Sequence, residues 1–130
     1  MIGPMAHDPT PITVHGIRNC DTVRKACQWL DTQGIAYRFH DFKTQGVPPA
    51  DLDRWIARLG WEPLVNRQGL TWRRLDEATR NGVTDAASAR ALMLAQPSVI
   101  KRPVVDWAAD GSDASVGFRP ADWAPRAGRG

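Results

Sequence analysis

Cys20 stands in the stretch HGIRNCDTVRKA, residues 15–26, between a short β-branched run and the start of an amphipathic pattern. A thiol at that place meets the unpaired N–H groups and the positive dipole end of a helix start, which favour the thiolate, the nucleophilic form. Arg18 and Arg24 add positive charge nearby, Asp21 opposes them, and Thr22 offers a hydroxyl. Such a group can attack an oxidised sulfur or a similar electrophile. The alternative, a cysteine packed as a small hydrophobe, suits an apolar run better than this one.

Cys27 fits that alternative. It falls on the apolar stripe Val23, Ala26, Cys27, Leu30, and two turns of helix separate it from Cys20 by roughly 10 Å. A disulfide needs Cα atoms within about 7 Å, so an intact helix keeps the pair apart. There is no C-x-x-C, and His7, His15 and His40 are scattered, so ligand spacing offers no zinc site.

The elements that must position Cys20 follow from periodicity. Ile12 to Val14 reads as a strand closed by Gly16, and the stripe from Val23 as a helix stopped by Gly34. Tyr37 to Phe42 alternates like a second strand. Strand, helix, strand with this crossover length implies a parallel, right-handed βαβ unit. After the turn Gly46 to Pro49, Leu52, Trp55, Ile56 and Leu59 repeat helical spacing up to Gly60. Residues 61–75 carry no clear period, and Asn66 to Gly69 reads as a loop. Thr84 or Asp85 caps a further helix with Ala89, Leu92 and Met93 inward and Pro97 beyond its end. Lys101-Arg102-Pro103 then leads into a strand, and a turn at Asp110 to Asp113 returns it through Ala114 to Phe118 as a hairpin.

The 130 residues suit one domain, and 42% hydrophobic with 24% charged residues is an ordinary globular balance. The net charge of +3 is too mild to imply nucleic-acid binding. No run approaches the ~18 apolar residues of a membrane span. Two cysteines are too few for a small secreted domain and favour a reducing cytoplasm. MIGPMAHDPTP, residues 1–11, lacks the apolar centre of a signal peptide and reads as a flexible extension. The domain is expected over residues 12–124, with 125–130 as a flexible tail.

GIRNCDTVRKA at a helix start, the helical insert and Ile-Lys-Arg-Pro-Val-Val at residues 100–105 together resemble the ArsC/Spx (arsenate reductase-like) family. The likeness covers roughly residues 12–123. Asn19 to Thr22, Thr71 to Leu75, Asp76-Glu77 and Thr84 to Ala87 are similar to its branch of glutathione-dependent thiol reductases (YffB-like). The resemblance implies an α/β, thioredoxin-like fold with a mixed four-stranded sheet and a helical insert between residues 48 and 97. It makes Cys20 the redox nucleophile, aims Arg102 at it and makes the Arg102–Pro103 bond cis. Asn19, Thr22, Arg67, Pro103 and Arg119 become the candidate substrate-binding residues. Glutathione is the expected co-substrate, with glutaredoxin a candidate partner, no bound cofactor or metal, and a monomeric chain.

Departures from the family narrow the substrate. Its arsenate reductases hold their oxyanion with three arginines, and only Arg102 matches in register. Asn66 takes the place of the first, with Arg67 one residue on, and Phe118 that of the last, with Arg119 one residue late. Losing two charged hydrogen bonds at ~1.5–3 kcal/mol each disfavours arsenate reduction. The polymerase-binding Spx branch senses oxidation through C-x-x-C, and here Val23 replaces the second cysteine. Trp55 belongs to a core. Arg73 and Arg74 either reach glutathione carboxylates over the Cys20 face or form a solvated basic face over Trp72.

Overall fold

The computed structural model describes residues 12–127; the extension read for residues 1–11 and the tail beyond 127 lie outside them. Four strands form one mixed sheet in the order β2-β1-β3-β4. β1 (Thr13–Gly16) runs parallel to β2 (Arg38–Asp41) through the right-handed crossover α1 (Asp21–Thr32). β3 (Val104–Asp106) pairs antiparallel with β1 on its other side, and β4 (Ala114–Val116) with β3. This is the α/β, thioredoxin-like architecture expected above.

Alternation along the strands divides the interior into two layers. Val14 and Val105 face α1 and α7 (Pro120–Ala127), packing with Ala26, Leu30, Trp107 and Trp123. The opposite face packs Val104 and Ala114 against α3 (Pro49–Leu59) and α6 (Ala86–Ala95), with Leu52, Trp55, Ala89 and Met93. Trp55 is fully buried, as its place on the helical stripe demands.

On that second face a polar network ties helix to sheet. His15, 3% exposed, donates Nε2–H to Asp106 Oδ2 at 3.0 Å. Arg54 grips both Asp106 oxygens at 2.7 and 3.2 Å, and Trp55 Nε1 adds 3.1 Å to Oδ1. Burial would raise the Asp106 pKa, but the hydrogen bonds from His15, Arg54 and Trp55 outweigh it and hold the carboxyl well below its usual range.

Four departures from the sequence reading have identifiable causes. Phe42 does not end β2 but opens the one-turn α2 (Phe42–Gln45), because the Asp41 side chain caps it at Lys43 N. Residues 61–75 hold a 3₁₀ turn (Glu62–Leu64) and α4 (Leu70–Arg74), followed by α5 (Glu77–Asn81). Their register is set from afar by the bridge Val65–Ile100. The last strand stops at Val116, since Gly117 turns the chain at φ +84°. Beyond it, α7 was not foreseen and continues through Ala127, past the expected boundary at 124. Pro120 opens this helix where its missing N–H costs nothing, and the fully buried Trp123 anchors it.

Candidate active site

Cys20 is the N-cap of α1, with extended backbone (φ −141°, ψ 123°), and its carbonyl accepts Arg24 N–H at 2.9 Å. The thiol makes no capping hydrogen bond, so the half-buried sulfur stays available at the helix mouth. The strand reaches this point closely: a Cβ on Gly16 would lie 2.9 Å from Val23 Cγ2. Only glycine lets β1 run so near the first turn of α1.

Cys20 opens on a cleft of about 340 Å³ lined by Thr22, Asn66, Gln68, Lys101, Arg102, Gly117, Phe118 and Arg119. The loop before β3, the loop after β4 and the start of the insert thus converge on α1. Three cations line the cleft with Cys20, and no lining side chain is acidic. Gly117, whose N–H bonds Pro103 O at 2.8 Å, lies under Lys101: a Cβ there would meet Lys101 Cε at 3.2 Å.

The Arg102–Pro103 bond is cis. Arg102 shares the cleft with Cys20, but its Nη1 is held by Ser98 O at 2.8 Å and Ile100 O at 3.0 Å rather than by the sulfur. Its Nε is buried without a partner. Arg102 therefore contributes a braced charge on the cleft wall, not a direct bond to the thiol.

Of the other expected binding residues, Thr22 and Arg119 line the cleft. Arg67 does not. Its guanidinium lies over Trp61 at 5.6 Å and Trp72 at 5.7 Å, in a separate recess with Arg80, Asn81 and Val83. Asn66, one residue earlier, is fixed by its N–H to Val99 O (2.8 Å) and enters the cleft in its place. Asn19 stays outside, on the surface, accepting from Arg24 at 3.4 Å. Pro103 is buried, with its carbonyl taken by Gly117.

Sequence reasoning missed Lys101, Asn66 and Gln68 as cleft residues. Two of them had a signal: Asn66 matches the place of the family's first arginine, and Lys101 stands beside Arg102 in the Lys-Arg-Pro triplet. The two arginines flanking Cys20 in sequence also turn elsewhere. Arg24 pairs with Asp21 at 2.7 Å, and Arg18 lies over the Phe39 ring at 4.6 Å.

Cys27 faces a different recess, of about 350 Å³, with Arg18, Asp31, Tyr37 and Phe39. Burial raises its pKa, which the Tyr37 hydroxyl hydrogen bond only partly offsets. Among the described residues no group of three or more His, Cys, Asp and Glu could hold a metal ion, and no helix is long and apolar enough to cross a membrane.

Comparison with known proteins agrees with this fold. The model of the ArsC family matches residues 15–125. An uncharacterized protein of Haemophilus influenzae is 38% identical over 112 residues, covering 86% of this chain and 95% of its own. The solved structure of a YffB protein superposes with a TM-score of 0.82 at 46% identity, over 88% of this chain and 97% of that one. An arsenate reductase (ArsC) related protein from Brucella melitensis gives 0.70 at 48% identity, over 92% and 96%. With the family model spanning nearly the whole fold and the Cys20 cleft inside it, the chain belongs to the ArsC family.

Proposed function

We propose that the protein is a thiol-dependent reductase in which Cys20, as thiolate, attacks an oxidised sulfur and glutathione resolves the product. The observation that carries this reading is the Cys20 cleft itself: an uncapped thiol at a helix start, in a cleft it shares with Lys101, Arg102 and Arg119 and no acidic side chain. Cations lining the cleft can hold an anionic group of the substrate beside the sulfur. Cys27 opens elsewhere on α1, so an external thiol must resolve the mixed disulfide. Family membership and the YffB and ArsC-related neighbours support the same class of chemistry. Two free cysteines suit the reducing cytoplasm, with glutaredoxin as a candidate reductant of the adduct. The test is intact mass after treatment with oxidised glutathione. One glutathione should add to the wild type and none to Cys20→Ser; an adduct that survives in Cys20→Ser overturns the assignment.

A further inference from the structure

The three histidines are scattered in sequence, yet the fold brings two of them together on the sheet face opposite α1, against Phe42 and Trp55. His15 of β1 and His40 of β2 are register partners, and their ring centres lie 5.2 Å apart. Each ring has its Nε2 proton committed to an oxygen. Asp106 Oδ2 takes that of His15 at 3.0 Å, and Gly46 O takes that of His40 at 2.7 Å. A carbonyl oxygen and a carboxylate held ionised only accept, so both neutral imidazoles keep their lone pair on Nδ1.

The strand order says where the His15 lone pair lies. β3 stands on the far side of β1 from β2, so the bond to Asp106 points the His15 Nε2 away from His40. The two nitrogens of an imidazole sit on nearly opposite edges of the ring, which leaves Nδ1 on the side of His40. That Nδ1 is buried without a hydrogen-bond partner, on a side chain only 4% exposed.

We propose that His15 and His40 form a site for a borderline divalent cation of the zinc type, held through their two Nδ1 atoms. Two imidazoles bound at about 2.0–2.1 Å to a tetrahedral ion have ring centres roughly 5 Å apart, the spacing seen here. A linear two-coordinate ion would set them roughly 6 Å apart at the same bond length. Ligating histidines donate their other N–H to a carboxylate or a backbone carbonyl, and Asp106 and Gly46 supply one of each. Such partners fix the tautomer, orient the ring and raise the basicity of the ligand nitrogen. Asp106 is itself held by Arg54 and Trp55, so this support is in place before an ion arrives.

Both rings line one cavity of about 310 Å³, together with Thr13, Asp51, Arg38 and Arg54. Among the described residues no third His, Cys, Asp or Glu completes a ligand set. The remaining positions on the ion therefore fall to water or to a small anion from the cavity, the arrangement of an open site rather than a closed structural one. The two arginines on the wall suit an anion there, and its charge offsets that of an ion bound by two neutral ligands.

The experiment first removes competing ligands. In a chain carrying His7→Ala, Cys20→Ser and Cys27→Ser, His15 and His40 are the only histidines and no thiol remains. Calorimetric titration with zinc chloride should show one ion bound per chain, and NMR spectra of the ring nitrogens should show Nδ1, not Nε2, perturbed on both histidines. His40→Gln in this chain should weaken zinc binding by about tenfold or more, and His15→Gln should do the same. Glutamine suits the test because its side-chain amide N–H can still meet Gly46 O or Asp106, while no ligand nitrogen remains at the Nδ1 position. His40 is only partly buried, so His40→Gln decides the question should His15→Gln fail to fold. No uptake at millimolar zinc, perturbation at Nε2 instead, or binding untouched by His40→Gln overturns the proposal.

Discussion

Cys20 and Cys27 share α1 yet open onto different recesses, the first beside Lys101 and Arg102, the second beside Arg18, Asp31 and Tyr37. A limiting alkylating reagent on the native protein should therefore label Cys20 first. Burial holds the Cys27 thiol protonated to higher pH than usual, which slows its reaction near neutrality. Peptide mapping after partial alkylation checks this, and faster labelling of Cys27 contradicts it.

Arg102 combines a charge beside the thiol with two backbone hydrogen bonds that brace the turn before β3. Arg102→Ala should slow iodoacetamide reaction at Cys20 and lower stability by about 1–2 kcal/mol. Arg102→Lys should recover much of the alkylation rate, because the charge returns, but only part of the stability. Alkylation profiles against pH that superimpose for all three proteins would mean Arg102 does not act on the thiol.

Asp106 makes stability depend on pH with a definite sign. Its folded pKa lies below the unfolded value of about 3.9. The stability it contributes is fully present above pH ~4 and is lost as pH falls through that value toward the depressed one. Asp106→Asn should flatten this acid limb and cost roughly 2–3 kcal/mol at pH 7, where Arg54 loses its main partner. Urea unfolding at pH 7, 5 and 3 for both proteins is the measurement; an unchanged acid slope in the variant contradicts the assignment.

Trp123 joins the core to the wall of the cleft. Its ring lies 4.9 Å from both Trp107 and Phe118, centroid to centroid, and 5.7 Å from Trp29. Trp123→Ala should destabilise by about 3–5 kcal/mol. It should also change the reactivity of Cys20, because Phe118 lines that cleft. Trp123→Phe should retain most of both properties. Denaturation midpoints and alkylation rates measured on the same samples separate the two effects.

Arsenate should be a poor substrate even with glutathione and glutaredoxin supplied. Arg67 is engaged between Trp61 and Trp72, and Asn66 stands in the cleft instead. Robust turnover of arsenate that disappears in Arg119→Ala would show that the remaining cations suffice.

The βαβ unit was legible because its periods are clean and its stops are glycines; Gly34 and Gly60 end their helices as read. The insert was only half legible. Residues 61–75 take their shape from the distant Val65–Ile100 bridge and from the packing of Arg67 on two tryptophans, neither of which leaves a local period. The last helix carries little local signal, with prolines at 120 and 125; Pro120 sits at its start and burial of Trp123 holds the rest. In the site, Cys20 announced itself through its place before a helix, and Thr22, Arg102 and Arg119 line the cleft with it. Gln68 and Lys101 join them through tertiary convergence, and the packing of Arg67 on Trp61 and Trp72 leaves Asn66 in the cleft.

The seating of Lys101 over Gly117 ties two remote positions into a single trait. Position 117 lacks the backbone conformation for a side chain, and a Cβ there would press on the end of the Lys101 stem at 3.2 Å. A lineage or a designer that wanted a larger residue at 117 would have to reshape the turn and swing the exposed lysine aside, moving one of the three cations that line the cleft. The path of the chain at 117 and the placement of charge in the cleft are therefore linked.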